Sequence, residues 1–115
     1  MLAAVRKRPV TLTEAQYFML AALLDGPLHG YGIIKATEQA TGGRLKPAVG
    51  TLYGALERME RAGLLIADGE EIVDGRARRY YRLTPKGNAT LDQEALRMQQ
   101  AAAFVLTRRR GPARA

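Results

Sequence analysis

One segment of the chain combines residue types that suit contact with a polyanion. When residues 50–65 are drawn as a helix, small residues and arginines share one side, namely Gly50, Thr51, Gly54, Arg58 and Arg61. Each glycine in a helix interior costs about 1 kcal/mol relative to alanine and gains nothing in water. The pattern therefore predicts that another molecule approaches this backbone closely. The alternative is a solvated helix that merely carries glycines.

Duplex DNA fits such a face. Its major groove is about 12 Å wide, which admits a slim helix, and it presents base edges and phosphates together. Arginines at the margin of the face would meet phosphates, while the glycines would let the backbone come close. We therefore expect double-stranded DNA as the partner.

A second group of basic residues follows on a predicted β-hairpin. Residues 64–73 and 77–83 are typical of two strands, and Asp74-Gly75 is a turn signal between them. Period-two alternation along the second strand predicts that Tyr81 faces inward. The same pattern places Arg76, Arg78 and Arg79 near the turn and predicts a cationic tip. The alternative is that the charge only keeps an edge strand soluble.

The net charge of +7 supports a nucleic-acid partner less than it first suggests. Basic residues of the two ends account for the whole excess, namely Arg6, Lys7, Arg8, Arg108, Arg109, Arg110 and Arg114. The remaining 11 basic residues, 18 minus these 7, equal the 11 acidic ones. What matters is therefore the segregation of charge, since residues 76–82 contain four arginines and no acid.

The residues that are absent exclude most catalytic chemistry. The chain has no cysteine and a single histidine, His29, so it offers no thiolate, disulfide or sulfur-ligated zinc. No cluster of acids converges to form a base or a metal site. We therefore expect no enzyme, cofactor or metal, and we assign His29 to a helix cap or turn. Without a long apolar run or a signal peptide, we expect a cytoplasmic protein with no membrane partner.

Three helices precede the hairpin in this interpretation. Thr13 and Gln16 have the spacing of a capping box, so the first helix begins near Glu14, and the turn signal at residues 25–27 ends it. A second helix covers residues 29–40, and glycines at 42–43 close it. The third runs from about residue 48 to residue 63 and carries the glycine and arginine face.

A long fourth helix is predicted from Thr84-Pro85 to about Arg109. Its apolar residues recur in a heptad pattern, and the first helix is apolar at every position from 17 to 24. So small a chain leaves the fourth helix no distant partner, and we expect a second copy to supply one. The predicted dimer interface comprises Tyr17, Leu20, Leu24, Leu91, Ala95, Met98, Ala102 and Val105.

The order of elements predicts a mainly α fold with a small β-hairpin, that is, a winged helix-turn-helix DNA-binding domain with a long C-terminal dimerisation helix. The expected organisation has four parts: a basic flexible arm over 1–11, the winged domain over 12–84, the dimerisation helix over 85–109 and a disordered tail over 110–115.

Three blocks of sequence resemble the PadR family of transcriptional regulators. They are His29-Gly30-Tyr31-Gly32-Ile33, the run from Gly50-Thr51-Leu52-Tyr53 to Leu64, and the run from Gly75-Arg76 to Thr84 closing at Gly87. The resemblance covers roughly residues 12–104.

The resemblance implies a homodimeric DNA-binding regulator, most often a repressor that an effector releases. It places Thr51, Tyr53 and Arg58 on the DNA-reading helix, and it places Gly75, Arg76, Arg78 and Arg79 on the wing. One departure is Ala48, where many relatives have a serine or asparagine helix cap.

Two further expectations concern ligands and partners. A small apolar or aromatic effector would fit a pocket at the dimer interface lined by Tyr17, Phe18, Met98 and Phe104, unless these residues are plain core. A two-fold dimer would recognise an inverted-repeat operator. The alternative function is a winged-helix module that binds a protein partner and has no specific affinity for DNA.

Overall fold

A computed structural model describes residues 11–109, so that most of the predicted arm at 1–11 and the whole predicted tail at 110–115 lie outside the described residues. The fold consists of four helices and a three-stranded antiparallel sheet. The elements in chain order are α1 (Glu14–Ala21), β1 (Leu28–His29), α2 (Gly30–Ala40), α3 (Val49–Arg61), β2 (Leu65–Val73), β3 (Arg76–Leu83) and α4 (Pro85–Arg109). The predicted class, a mainly α winged helix-turn-helix with a long last helix, is confirmed.

Local signals fix where α1 begins. The backbone N–H of Gln16 donates to Oγ1 of Thr13 over 3.1 Å, and Oε1 of Gln16 accepts from the Thr13 backbone over 3.0 Å. This reciprocal pair is the predicted capping box, which satisfies two N–H groups that a helix start leaves free. The helix ends at Ala21, one turn before the predicted stop, because residues 22–25 continue in tighter turns.

The sheet joins the hairpin to the start of α2. Its strand order is β1-β3-β2, and β1 pairs with β3 through Leu28 opposite Tyr81 and His29 opposite Tyr80. No sequence pattern indicated β1, since two residues are too few to show alternation. In the hairpin turn Asp74 has φ 51° and Gly75 has φ 76°, which matches the Asp-Gly turn that was predicted.

One apolar core holds α1, α2, α3 and the base of the hairpin together. Its fully buried side chains include Met19, Leu20, Ile33, Leu52, Leu56, Met59, Leu64 and Leu65. Tyr81 faces this core and is buried, as the period-two alternation predicted. The third helix therefore has one face fixed by packing, which leaves the opposite face for solvent or a partner.

The beginning of α4 also belongs to this core. Oγ1 of Thr84 accepts from the Gly87 backbone N–H over 2.9 Å, and the Thr84 backbone donates to the Leu64 carbonyl over 3.2 Å. Gly87 lies so close to Leu64 that a Cβ at this position would collide with the Leu64 carbonyl oxygen. Leu91 is 4% exposed. The expectation that α4 has no partner inside its own chain is therefore wrong for its first half.

The second half of α4 leaves the body of the protein. Every residue from 99 to 109 is exposed, and the molecule measures 69 Å along its longest axis. None of the helices within residues 11–109 has both the length and the hydropathy needed to cross a membrane.

Candidate nucleic-acid interface

The outer face of α3 is open in the way the glycine pattern predicted. Leu52, Ala55, Leu56 and Met59 are buried, so the opposite side points away from the core. Among the described residues, a Cβ at Gly50 would meet no atom within 4 Å. A Cβ at Gly54 would meet only Nη1 of Arg58, at 3.5 Å. Packing within residues 11–109 therefore does not require these two glycines.

Charged side chains frame this open face on its C-terminal side. Arg58 and Arg61 are exposed in the last turn of α3, where cations also interact favourably with the helix dipole. Arg61 lies 3.4 Å from Glu57 in an exposed i,i+4 pair. This face thus carries small residues in its first two turns and arginines at its C-terminal end.

The start of α3 has no side-chain cap. Ala48 is the N-cap residue and makes no side-chain hydrogen bond to the helix, which agrees with the departure noted in the sequence. Thr51 is exposed in the first turn. The first N–H groups of α3 therefore have no side-chain acceptor of their own from the N-cap.

Tyr53 links α3 to the beginning of α2. A Cβ at Gly30 would lie 2.6 Å from the Tyr53 hydroxyl oxygen and 3.1 Å from Cδ2 of Leu52, so Gly30 is small because these two side chains pack over it. Tyr53 nevertheless keeps 49% of its surface exposed. The Gly30 position thus fixes how α3 sits on α2, and it leaves part of the Tyr53 ring at the outer surface.

The hairpin carries the predicted arginines, but its acids balance them. In the β2–β3 register Glu70 lies opposite Arg79 and Glu71 lies opposite Arg78. Arg82 lies 3.8 Å from Asp68. Residues 65–83 contain four acids and four arginines, so the hairpin as a whole has no net charge, although Arg76, Arg78 and Arg79 lie in the part of β3 that follows the turn. The run of basic residues does lie in β3, and the strand pairing places the acidic residues of β2 beside it.

A cluster around His29 connects this hairpin to α2. The His29 and Tyr80 rings meet edge to face at 5.4 Å, and the Tyr80 hydroxyl donates to Oε1 of Glu71 over 2.7 Å. Burial, followed by the positive charge of Arg78, lowers the pKa of His29. His29 is the N-cap residue of α2 and makes no side-chain cap hydrogen bond. Its ring therefore packs against the hairpin, and this contact helps to set the angle of the hairpin.

One cleft of about 520 Å³ collects the predicted residues of both elements. It lies between the first turn of α2, the side of α3 and the hairpin turn, and its lining includes Tyr31, Tyr53, Arg76, Arg78 and Arg79. The structure thus brings the wing arginines next to Tyr53. Arg58 and Arg61 lie further along α3 and do not line this cleft.

Sequence reasoning missed two exposed apolar side chains near this surface. Tyr31 on α2 is 62% exposed and has the Lys35 ammonium 5.7 Å from its ring centre. Val49, the first residue of α3, is 61% exposed. The helical wheel held no signal for the exposure of Val49, because this residue lies three and seven positions before Leu52 and Leu56, on the same side of the helix as the buried stripe.

Two residues of the predicted dimer interface belong to the core of the single chain. Leu20 is 0% exposed and Leu91 is 4% exposed, so neither offers surface to a second copy. The apolar run of α1 misled the prediction because its inner side chains are covered by the protein's own helices. The other predicted residues keep some surface: Tyr17 and Ala95 are half-buried, while Leu24, Met98, Ala102 and Val105 are exposed.

The predicted effector residues are only partly brought together. Tyr17, Phe18 and Met98 line a cleft of about 350 Å³ between α1 and α4, and the Tyr17 and Phe18 rings meet edge to face at 5.4 Å. Phe104 is not in this cleft and is 58% exposed. It lies six residues beyond Met98, about 9 Å further along the helix, so one pocket within a single chain does not contain all four residues.

A buried carboxylate closes one side of this cleft. Glu94 is 6% exposed, accepts from the Leu12 backbone N–H over 3.2 Å and from Nε of Arg97 over 2.7 Å. These hydrogen bonds, first from Arg97 and then from Leu12, lower the pKa of Glu94. Glu94 thereby ties α4 to the residue that enters α1. Within residues 11–109, no group of three or more histidines and acids is arranged to hold a metal ion.

Comparison with known proteins assigns the fold to a family. The model of the transcriptional regulator PadR-like family matches residues 19–93. The chain is 48% identical over 92 residues to an uncharacterised 37.1 kDa protein in transposon TN4556 of Streptomyces fradiae, which covers 80% of this chain and 25% of that protein. It therefore spans about a quarter of the length of that relative.

A second relative matches along most of its length. The transcriptional regulator Rv3488 of Mycobacterium tuberculosis is 40% identical over 82 residues, 71% of this chain and 73% of that protein. Among solved structures, a PadR family transcriptional regulator from Eggerthella lenta superposes with a TM-score of 0.66 at 26% identity, covering 78% of this chain and 76% of its own.

One solved neighbour contains DNA. PadR of Bacillus subtilis in complex with operator DNA superposes with a TM-score of 0.62 at 22% identity, over 70% of this chain and 45% of that one, which at this identity shows the shared fold. The family and these named relatives are transcriptional regulators and not enzymes. From the family match and the superposed folds together, this chain belongs to the PadR-like family of transcriptional regulators.

Proposed function

We propose that this PadR-like regulator is a sequence-specific DNA-binding repressor that acts as a homodimer in the cytoplasm and is released by a small apolar or aromatic effector. In this proposal α3 enters the major groove and the hairpin contacts the adjacent backbone. The site residues are Gly50, Thr51, Tyr53, Gly54, Arg58 and Arg61 on α3 with Arg76, Arg78 and Arg79 on the hairpin.

The open face of α3 carries the proposal. Neither Gly50 nor Gly54 is needed for packing within the described part of the chain, yet both lower the intrinsic stability of a helix. Close approach of a nucleic acid explains why these positions are glycine, because a side chain at either position would lie between the backbone and the base edges.

The hairpin supports this arrangement in a secondary way. Its arginines are balanced by acids, so its net charge does not attract DNA over a distance. Individual arginines at the cleft beside Tyr53 can still reach single phosphates. We therefore assign positioning to the hairpin and sequence recognition to α3.

The dimer would form through the exposed second half of α4. Met98, Val105 and their neighbours expose apolar surface that the described part of the chain does not cover. A two-fold axis through paired α4 helices would present two copies of α3 to one side of the duplex. The operator should then be an inverted repeat whose half-sites are centred about one helical turn, roughly 10 base pairs, apart or a multiple of that.

The effector would enter at the cleft between α1 and α4. Two aromatic rings and Met98 line this cleft, and it lies at the point where α4 leaves the core. A ligand bound there would change the angle of α4, and it would therefore change the spacing between the two α3 helices of the dimer.

Gly54→Leu tests the central assignment. The new side chain has open space, so the fold and the dimer should survive, while specific DNA binding is lost because leucine occupies the groove-facing surface. The measurement is the affinity for an operator selected from random DNA, compared with unrelated DNA. Ala89→Leu, at an exposed position of α4, is the matched control and should bind normally. A Gly54→Leu protein that still discriminates the operator would contradict the proposal.

A further inference from the structure

We infer that Glu57 accepts a hydrogen bond from the 4-amino group of a cytosine in each half-site, an inference that rests on the proposed DNA-binding function and adds a residue to it. Glu57 is a residue of α3, and 72% of its side-chain surface is exposed. It follows Gly50 by seven positions and Gly54 by three, and it precedes Arg61 by four. Residues at these spacings share one side of a helix.

Helical periodicity places Glu57 on the face that we assign to DNA. At about 100° per residue, Glu57 lies about 150° around the helix from the middle of the stripe of buried residues on α3. It lies only about 20° from Gly50 and about 60° from Gly54. The Glu57 side chain therefore points away from the core and lies near the middle of the open face.

The contacts of Glu57 within the described chain leave its carboxylate available to a ligand. Within residues 11–109 its ion pair joins it to Arg61 over 3.4 Å, and both side chains are largely exposed. Exposed pairs of this kind contribute little to stability, and a carboxylate has about four lone-pair sites, so acceptors remain. Gly54 and Glu57 also line a cleft of about 380 Å³ between α3 and β3, which leaves open space beside the carboxylate.

An acid on this face can contact only a few groups of a duplex favourably. Phosphates repel a carboxylate, so an acid that faces DNA weakens binding unless a base donates a hydrogen bond to it. In the major groove the donors are the 4-amino group of cytosine and the 6-amino group of adenine. The adenine amino group lies beside the N7 acceptor, which also repels a carboxylate, whereas cytosine presents no acceptor there. Cytosine is therefore the base that Glu57 fits.

The two glycines explain how the carboxylate reaches a base edge. A Cβ at Gly50 would meet no described atom within 4 Å, and one at Gly54 would meet only Nη1 of Arg58, so the first turns of α3 can approach the groove closely. Glu57 lies on the same side of the helix one turn further along. Its two methylene groups carry the carboxylate across the gap that the glycines leave.

The experiment replaces each C·G pair of an operator selected from random DNA, one at a time, by U·A. The exchange turns the 4-amino donor into a carbonyl acceptor and adds no methyl group. For the unaltered protein, one such replacement in one half-site should weaken binding about tenfold because the carboxylate then faces an acceptor. For Glu57→Ala, the operators with C·G and U·A at this pair should bind equally.

Two matched variants separate this contact from other effects of charge. Glu60→Ala removes an equal charge from an exposed position that lies about 90° around α3 from the middle of the open face, and it should keep the tenfold preference. Arg61→Ala removes the ion-pair partner of Glu57. It should weaken binding to all DNA alike and leave the preference in place. Alanine favours a helix and all three positions are exposed, so the fold should not change.

Three results would overturn the inference. The first is a preference for C·G that persists in Glu57→Ala, or operator binding in which no C·G replacement matters; either leaves the proposed function intact and removes Glu57 from recognition. The second is loss of the preference in Glu60→Ala as well, which would make it a general effect of removing an acid. The third is the absence of any sequence preference in the unaltered protein, which would reject the proposed function together with the contact that rests on it.

Discussion

The two halves of α4 share one heptad pattern and have different surroundings. From Pro85 to Glu94 the helix is part of the core, and Gly87, Thr90, Leu91 and Glu94 are buried. From residue 99 to residue 109 every position is exposed, including Phe104 at 58% and Val105 at 48%. Apolar spacing alone therefore predicts that a helix has a partner. It does not show whether that partner lies in the same chain or in another one.

The difference has a simple physical origin. The first half is held by contacts that no sequence pattern displays, namely the close approach of Gly87 to the Leu64 backbone and the hydrogen bond from Leu12 to Glu94. The helix is then 25 residues long, about 37 Å, and extends beyond the core it started from. What lies beyond must find another partner or remain in water.

The largest effect on folding is expected for Gly87→Ala. The added Cβ collides with the Leu64 carbonyl oxygen and approaches Cδ2 of Leu83, so the first half of α4 must move away from the core. The cost should reach or exceed the upper end of the about 1–3 kcal/mol usual for overpacking. Urea unfolding measures it.

Gly50→Ala is the control for this experiment. It adds the same atom to a helix, but at a place where that atom meets nothing. Its unfolding free energy should stay the same or rise by up to about 1 kcal/mol, from helix propensity. Equal effects of the two substitutions would mean that Gly87 is not a packing site.

A loss of similar or smaller size is expected for Leu91→Ala, which leaves a cavity in the docked half of α4. Because Leu91 is 4% exposed, the loss of unfolding free energy should fall in the usual range of about 2–5 kcal/mol for such truncations. Val105→Ala carries the same heptad spacing at 48% exposure and should change the unfolding free energy measured at low protein concentration by less than about 0.5 kcal/mol. Comparable losses in the two variants would show that the second half of α4 is also docked.

Glu94→Gln should weaken the hydrogen bond between α4 and Leu12, and the resulting loss of stability should depend on pH. The folded state lowers the pKa of Glu94, so its stabilising contribution is complete above the unfolded value of about 4.3 and is lost as pH falls through the lower folded value. The advantage of the unaltered protein over Glu94→Gln should therefore be present at pH 7 and shrink toward pH 3.

Thermal unfolding at both pH values tests this expectation. Asp92→Asn, an exposed carboxyl on the same helix, is the control and should behave like the unaltered protein at both. An advantage that is independent of pH would rule out the Glu94 carboxylate as its source.

The smallest effect on folding is expected for a chain that ends after Gln99. It keeps every buried residue of α4, so the winged domain should retain its thermal stability at low protein concentration. It lacks the exposed half through which we propose the dimer to form, and it should sediment as a monomer. If the shortened chain still forms a dimer of unchanged affinity, the interface lies elsewhere, for example at Leu24, which follows α1.

The hairpin gives a second example of what pattern reasoning leaves out. The turn at Asp74-Gly75 and the inward position of Tyr81 follow from local rules and were predicted correctly. The local distribution of charge on the hairpin depends on which residues of β2 lie opposite the arginines of β3. Glu70 and Glu71 lie opposite two of these arginines, so the run of basic residues in β3 becomes part of a surface whose charges are balanced.

By itself the sequence determined the order and type of the long elements, the capping box of α1, the hairpin turn and the open face of α3. These features depend on neighbours a few residues apart, whose spacing can be read along the chain. Only the tertiary structure decided that Leu20 and Leu91 are core, that β1 exists, that Phe104 lies apart from Tyr17 and Phe18, and that Gly87 must be glycine. Each of these depends on contacts between distant segments, which are set when whole elements pack and which no local spacing encodes.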